Sequence, residues 1–415
     1  MNNFSWKQSR TVLMVLMCTA YLFDYADRMV ISSLLPMIKA EWHSTDAQLG
    51  MLTSIVSLFI AIFVLPLSIL VDRWSRTKMI SIMVFLWSLA TLMSAIAKNY
   101  DQLLLTRAFT GIGEAAYTPA TIALIAMLYP LANRAKFTGI WNAFAPLGAA
   151  VGFVVGGFVG NYYGWRHALG LLALPGFAIA IIFWFAHDYK TQAMAHDENG
   201  AAVQFSWRGI AKLTSELFKI KTLWFIFGAF AMNMAINSSI LTWLPSYLIR
   251  SFGMNDKLAG TIAGLFALMA LVGAPLGGWW ADRWMKSQAK ARMYLPAIFS
   301  LVSALLLMAA LLVSNVQITL ALILVFGLST AIFIAPATAA IQDVVNPGVR
   351  ALSIGFNVVI MNIGGSFWAP VFVGFLSDRI GLDKALFILP VMGVVASLLF
   401  YLGAKHYVKQ LSVNA

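Results

Sequence analysis

The chain has 415 residues, of which 61% are hydrophobic and only 11% charged. Soluble domains average roughly 45–50% apolar and about 25% charged, so this composition excludes a water-soluble protein and points to a membrane. The net charge of +12 reads as the Lys and Arg bias of cytoplasmic membrane loops, not as a nucleic-acid surface. A single cysteine, Cys18, excludes an internal disulfide and a cysteine metal cluster. The five histidines fall in or beside loops and show no HExxH-type spacing, so no metal or other cofactor is expected.

The N-terminal MNNFSWKQSR leads into a long apolar span without a small-residue cleavage site, which predicts a retained first membrane helix. Runs of about twenty apolar residues, the length a bilayer core demands, follow at 11–37, 49–71, 79–97, 103–128, 137–160, 167–186, 222–248, 258–280, 293–313, 318–341, 351–376 and 385–404. The spacing predicts twelve spans. Most connectors are short, but residues 187–221 are polar and carry mixed charge. They divide the chain into an N-terminal six-helix bundle (1–186), a cytoplasmic linker (187–221) and a C-terminal six-helix bundle (222–415). With the N-terminus inside, Lys and Arg in the inner segments outnumber those in the outer ones nineteen to seven. That bias places both termini and the linker in the cytoplasm of a cell membrane, the inner membrane in a Gram-negative source.

The two sets of spans echo each other. PLSILVDRWSRTK (66–78) follows the second span and PLGGWWADRWMK (275–286) the eighth. GGFVGNYYG (156–164) ends the fifth span and VGFLSDRIG (373–381) the eleventh. Matched ends at matched positions predict a duplicated six-helix unit, with a substrate site near the midplane between the copies.

Ionisable residues inside a span cost about 2.5–3.5 kcal/mol each on insertion scales, so they mark function. Asp24, Asp27 and Arg28 share one face of the first span, at helical spacings of three and four. Arg107 and Glu114 are seven apart on the fourth span, again on one face. Spans seven to nine, eleven and twelve carry no interior charge. Acids in a partly apolar cavity next to arginines suit proton exchange, and the guanidinium fork suits a carboxylate or phosphate. Asp27, Glu114 and Asp24 are therefore the candidate proton sites, and Arg28 and Arg107 the candidate anion ligands. Buried carboxylates without an oxygen-rich cage favour H+ over Na+. Span seven adds Asn233 and Asn237, and span eleven adds Asn357, as neutral amides able to bond substrate hydroxyls. TGIGEAA (110–116) superficially matches a nucleotide-binding turn, but no strand precedes it. Gly111 and Gly113 are read instead as close-packing positions.

With these residues in place, the whole chain resembles a major facilitator superfamily transporter. The carrying motifs are Asp72, Arg73, Arg76 and Lys78 after span two, with a second copy at Gly278, Asp282 and Arg283. Ser68 and Ser75 replace two glycines usual in that motif. YADR (25–28) and R-x6-E (107–114) resemble the anion:cation symporters and the Spinster-like transporters alike. PLGAAVGF (146–153) and GEAAY (113–117) look more Spinster-like, and Asp24 stands where both groups commonly carry Asn. The resemblance implies proton binding by the acids, anion binding by the arginines with Tyr25 and Tyr117 as substrate contacts, and gating by Asp72, Arg73, Arg76, Asp282 and Arg283 through charge pairing between helices.

The expectation is an all-α integral membrane protein with the major facilitator fold, not an enzyme. It would work by alternating access as a monomer, in proton-coupled symport of a small organic anion such as a sugar acid. The partners expected are that anion, H+ and the bilayer, with no nucleic acid. The alternative is a Spinster-like carrier of a lysolipid or other amphipathic anion; a non-transporting membrane sensor is more remote.

Overall fold

A computed structural model describes residues 9–187, 217, 219–345 and 349–414. Most of the 187–221 connector, and the side chains of Asp72 and Arg73, lie outside the described residues. The chain runs as α1 (Arg10–Trp42), α2 (Asp46–Arg73), α3 (Arg76–Ala95), α4 (Tyr100–Ala115), α5 (Tyr117–Leu128), α6 (Leu131–Tyr163) and α7 (Trp165–Phe185). It continues with α8 (Lys221–Phe252), α9 (Asp256–Leu268), α10 (Ala270–Met285), α11 (Ala291–Leu312), α12 (Val316–Ala331) and α13 (Ile334–Asp343). After α14 (Arg350–Met361) comes a π-helical turn (Asn362–Phe367), then α15 (Trp368–Ile380), the short α16 (Leu382–Ala385) and α17 (Ile388–Asn414). No strand occurs among the described residues. Among the described residues, eleven stretches are long and apolar enough to cross a membrane, counting α4–α5, α9–α10, α12–α13, α14–α15 with its π-helical turn, and α16–α17 as single paths. Helix α1, with 33 residues, is as long as any of them but carries Asp24, Asp27 and Arg28 in its middle.

Several uninterrupted runs expected from the sequence are broken, and three of the breaks share a cause. Proline lacks the amide hydrogen a helix interior needs and is tolerated in a first turn. Pro119, Pro336 and Pro370 each sit third in a helical segment, in α5, α13 and α15. A junction at Ala116, a junction at Ile332 and Phe333, and the π-helical turn precede them. Pro146 and Pro245 lie inside continuous α6 and α8.

The repeat is visible in the caps. At the end of the molecule far from the termini, Thr45 and Gln48 form a capping box at α2, and Asn255 caps Leu258 N of α9 at 2.8 Å. Asn99 caps Gln102 N of α4 at 2.9 Å, and Asn315 caps Ile318 N of α12 at 3.1 Å. These side chains satisfy first-turn amides where the chain re-enters the apolar layer. Gly164 and Gly381 close α6 and α15 with φ of +85° and +89°, a conformation that disfavours any residue with a Cβ.

Three large apolar clusters hold the molecule together. One joins α3, α5 and α7 to the first turns of α1, and includes Leu13, Trp87, Tyr117, Trp141 and Phe183. A second, including Phe230, Phe333, Phe400 and Tyr407, is built from residues 217 onward alone. The largest lies toward the far end and draws on both sets of helices, with Ile38, Leu49, Leu103 and Phe153 packed with Trp243, Leu248, Ala263 and Val373. The two sets thus share a core at the far end and keep separate cores near the termini.

Candidate functional site

The five charges singled out in the sequence come together where α1 meets α4. Arg28 Nε lies 2.8 Å from Glu114 Oε2, and Arg28 NH2 lies 3.4 Å from Asp24 Oδ2. Arg107 NH1 donates to Asp27 Oδ2 at 3.1 Å. Two carboxyls share one guanidinium, and the third carboxyl has a guanidinium to itself. Asp24, Asp27, Arg107 and Glu114 have side chains 3% exposed or less, while Arg28 is 23% exposed. Arg28 is the most exposed member of the set.

The immediate frame is aromatic. The Arg28 guanidinium lies 5.1 Å from the Tyr25 ring centroid, and Tyr25 meets Tyr21 edge to face at 5.0 Å. Tyr21 stacks on Trp141 at 4.1 Å. Tyr25, half-buried, stays next to the charges. Tyr117 does not join them: its hydroxyl donates to the Met17 carbonyl at 2.5 Å and accepts from Trp141 Nε1 at 3.4 Å, fully buried.

The neutral candidates separate in the same way. Asn233 is 1% exposed and its amide donates to Ala229 O and to Ser300 Oγ of α11, tying α8 to its neighbour. Asn237 is half-buried one turn further along α8. Asn357 is 5% exposed, and its Oδ1 has no hydrogen-bond partner among the described residues.

Of the candidate gating residues, Asp282 pairs with Arg292 at 2.9 Å, and Arg292 also holds Asp343 at 2.8 Å. Tyr407 donates to the same Asp343 carboxylate at 2.5 Å. This network lies entirely among the C-terminal helices. Arg283 is exposed, and Arg76 is buried with its guanidinium against the Met127 thioether.

The strongest polar contact between the two sets of helices was not foreseen. Asp46, the first residue of α2, receives two hydrogen bonds from Arg250 at 2.6 and 2.8 Å, one from Lys39 at 2.5 Å and one from Ser377 at 2.5 Å. Asp378 reciprocates by accepting from the backbone amides of Asp46 and Ala47 at 2.7 and 3.0 Å. Nearby, Thr242 donates to Thr53 at 3.1 Å. The far end is therefore latched across the seam by charge-assisted bonds, which are shorter and stronger than neutral ones.

Comparison with known proteins gives these features a context. The family model described as Major Facilitator Superfamily matches residues 17–369 and 248–412. A hexuronate transporter of Bacillus subtilis (strain 168) is 26% identical over 379 residues, covering 89% of this chain and 88% of the relative. Protein spinster homolog 1 of Xenopus tropicalis is 25% identical over 408 residues, covering 93% and 76%. Among solved structures, a bacterial homolog of the human lysosomal transporter Spinster, inward-facing and unoccupied, superposes with a TM-score of 0.85 at 20% identity over 97% of this chain and 98% of that one.

Proposed function

Because the chain belongs to the Major Facilitator Superfamily, we propose that it carries a small organic anion, such as a sugar acid, together with H+. The observation that carries this reading is a charge imbalance. Three carboxyls, Asp24, Asp27 and Glu114, face two guanidiniums, Arg28 and Arg107, in one buried set. Fully ionised, the set holds one negative charge too many, and an unpaired buried charge is expensive. One proton balances it. An anion that docks on Arg28 adds a further negative charge and draws that guanidinium from Asp24 and Glu114, so entry of the anion favours uptake of protons by these acids. Asp27, Glu114 and Asp24 are the proton sites; Arg28, with Tyr25 behind it, receives the anion and Arg107 holds it deeper. Asn237 and Asn357 are the neutral contacts we assign to substrate hydroxyls.

In this reading residues 1–186 and 222–415 are two bundles that rock about the site, joined by the cytoplasmic linker 187–221, in a monomer. The Lys and Arg bias places both termini in the cytoplasm, so the Asp46–Arg250 latch is the outer gate. Asp72, Arg73, Arg76, Asp282 and Arg283 belong to the inner rim. The similarity to spinster homologues supports a second reading, in which the anion is amphipathic.

Uptake of radiolabelled glucuronate into proteoliposomes, with lysophosphatidic acid as a second arm, tests both readings. The proposal expects glucuronate accumulation driven by an acidic exterior and lost in Arg28→Lys, which keeps the charge but not the fork. Accumulation of the lysolipid alone selects the second reading. Uptake indifferent to the pH gradient overturns the coupling.

A further inference from the structure

Asp27 has a partner that the charge pattern does not reveal. Its Oδ1 lies 2.8 Å from Thr91 Oγ1 on α3, opposite the Oδ2 held by Arg107. The same hydroxyl lies 2.9 Å from the Trp87 carbonyl one turn back. A hydroxyl has one hydrogen and two lone pairs, so it serves one of these acceptors at a time. With the hydrogen toward Asp27, it stabilises the carboxylate. With the hydrogen toward Trp87, a lone pair faces Oδ1, and that contact is attractive when Oδ1 itself carries a proton. The same heavy-atom positions therefore satisfy Asp27 as carboxylate and as carboxylic acid. A backbone amide or lysine in this place could only donate, and could not accept from an O–H on Oδ1.

The position of Thr91 is fixed from both sides. Gly113 of α4 lies so close to α3 that a Cβ there would sit 2.6 Å from Trp87 N. Further along, Ser94 donates to Thr106 of α4 at 2.8 Å. Thr91 lies about one turn from each contact. The charged groups around Asp27 are Asp24 and Arg28 on its own helix and Arg107 and Glu114 on α4. The acidic and basic residues of α2, α6, α7, α8 and α9 lie toward the helix ends, and α5 offers Tyr117, which is bonded to Met17.

We propose that Thr91 is a positioning residue for proton exchange at Asp27, resting on the reading of Asp27 as a proton site. A proton that reaches Asp27 bonds to Oδ1, and the new O–H donates to Thr91 Oγ1. The Thr91 hydrogen turns to Trp87 O, and Asp27 becomes neutral. Arg107 then has no carboxylate partner and can turn to the anion. Loss of the proton reverses each step.

The test is infrared difference spectroscopy of the reconstituted full chain across a pH titration, which needs no substrate. Asp27→Asn identifies the carboxylic C=O band of Asp27 by removing it. Thr91→Val keeps the shape but removes the donor to the ionised form, so the midpoint of that band moves about one pH unit more alkaline and its frequency changes. Thr91→Ser keeps both at wild-type values, and Thr91→Ala substitutes if the valine variant does not fold. A purely structural threonine would lower the unfolding temperature and leave the midpoint in place; that result overturns the inference. If Asp27→Asn removes no titrating band, the reading of Asp27 as a proton site fails first, and the role of Thr91 with it.

Discussion

The paths α4–α5 and α12–α13 are built on one plan and filled with different chemistry. Each starts at an asparagine cap, Asn99 or Asn315, breaks after a similar length, and resumes with a proline third in the next segment. In the same register, Gly111 presses on Val56 of α2, and Gly327 presses on Phe266 of α9. Yet Ile323 stands where α4 has Arg107, and Thr330 where it has Glu114. Both C-terminal residues are buried, at 3% and 6% exposure. The helix frame does not need the charges, which supports assigning them to the proposed transport chemistry.

Making the N-terminal path resemble the C-terminal one should have the largest effect. Arg107→Ile strips Asp27 of its guanidinium and leaves a buried carboxylate unpaired, a loss of about 3–5 kcal/mol. Anion uptake should vanish and the unfolding temperature should fall. Wild-type uptake in this variant would show that the two paths are chemically equivalent after all.

Packing should treat the two paths alike in kind but not in degree. A Cβ on Gly111 would lie 2.6 Å from the Val56 carbonyl oxygen, a backbone atom, while on Gly327 it would lie 2.7 Å from the Phe266 ring. Gly111→Ala should therefore cost about 2–3 kcal/mol and Gly327→Ala about 1 kcal/mol, because a side chain gives way more easily than backbone. Thermal unfolding of the two variants in the same detergent measures the order, and a larger loss for Gly327→Ala would reverse it.

The far-end latch should respond more mildly, since Arg250 is 29% exposed in its side chain and water screens the pair. Arg250→Gln should favour opening of the far end by about 1 kcal/mol, roughly a fivefold gain in labelling by an impermeant thiol reagent at Thr53→Cys. The buried native Cys18 leaves that signal clean. Unchanged labelling would remove the latch from the gate. Smallest of all, Asn233→Ala should cost about 0.6–2 kcal/mol of stability, as interhelical hydrogen bonds do in membranes. It should move the apparent affinity for the anion less than about twofold. A tenfold rise in KM would return Asn233 to the binding site.

The all-α membrane class, the spans and the repeat were legible because each rests on a local pattern: apolar run length, loop composition and recurring DR ends. The grouping of the five interior charges was legible too, since Asp24, Asp27 and Arg28 share a helix face, as do Arg107 and Glu114. Their pairing was not. Whether Arg107 meets Asp27 or Glu114 meets Arg28 depends on how α1 and α4 cross, which no local pattern encodes. Thr91 looked like any other helix threonine until Asp27 came within 2.8 Å. Asp46 fell in the connector before the span expected at 49–71; its partners Arg250, Ser377 and Asp378 lie some two hundred residues or more away. Tyr117 shared the motif but turned inward, to a backbone carbonyl that sequence cannot display.

In the proposed mechanism an excess carboxyl among five interior charges couples anion entry to protons. The most direct measurement is substrate-dependent alkalinisation outside proteoliposomes containing the full chain, recorded with a pH electrode as glucuronate is added. Proton uptake with glucuronate is expected in the wild type, and its loss in Glu114→Gln, with glucuronate exchange between the two sides retained. Glucuronate transport by the wild type without any proton movement would contradict it.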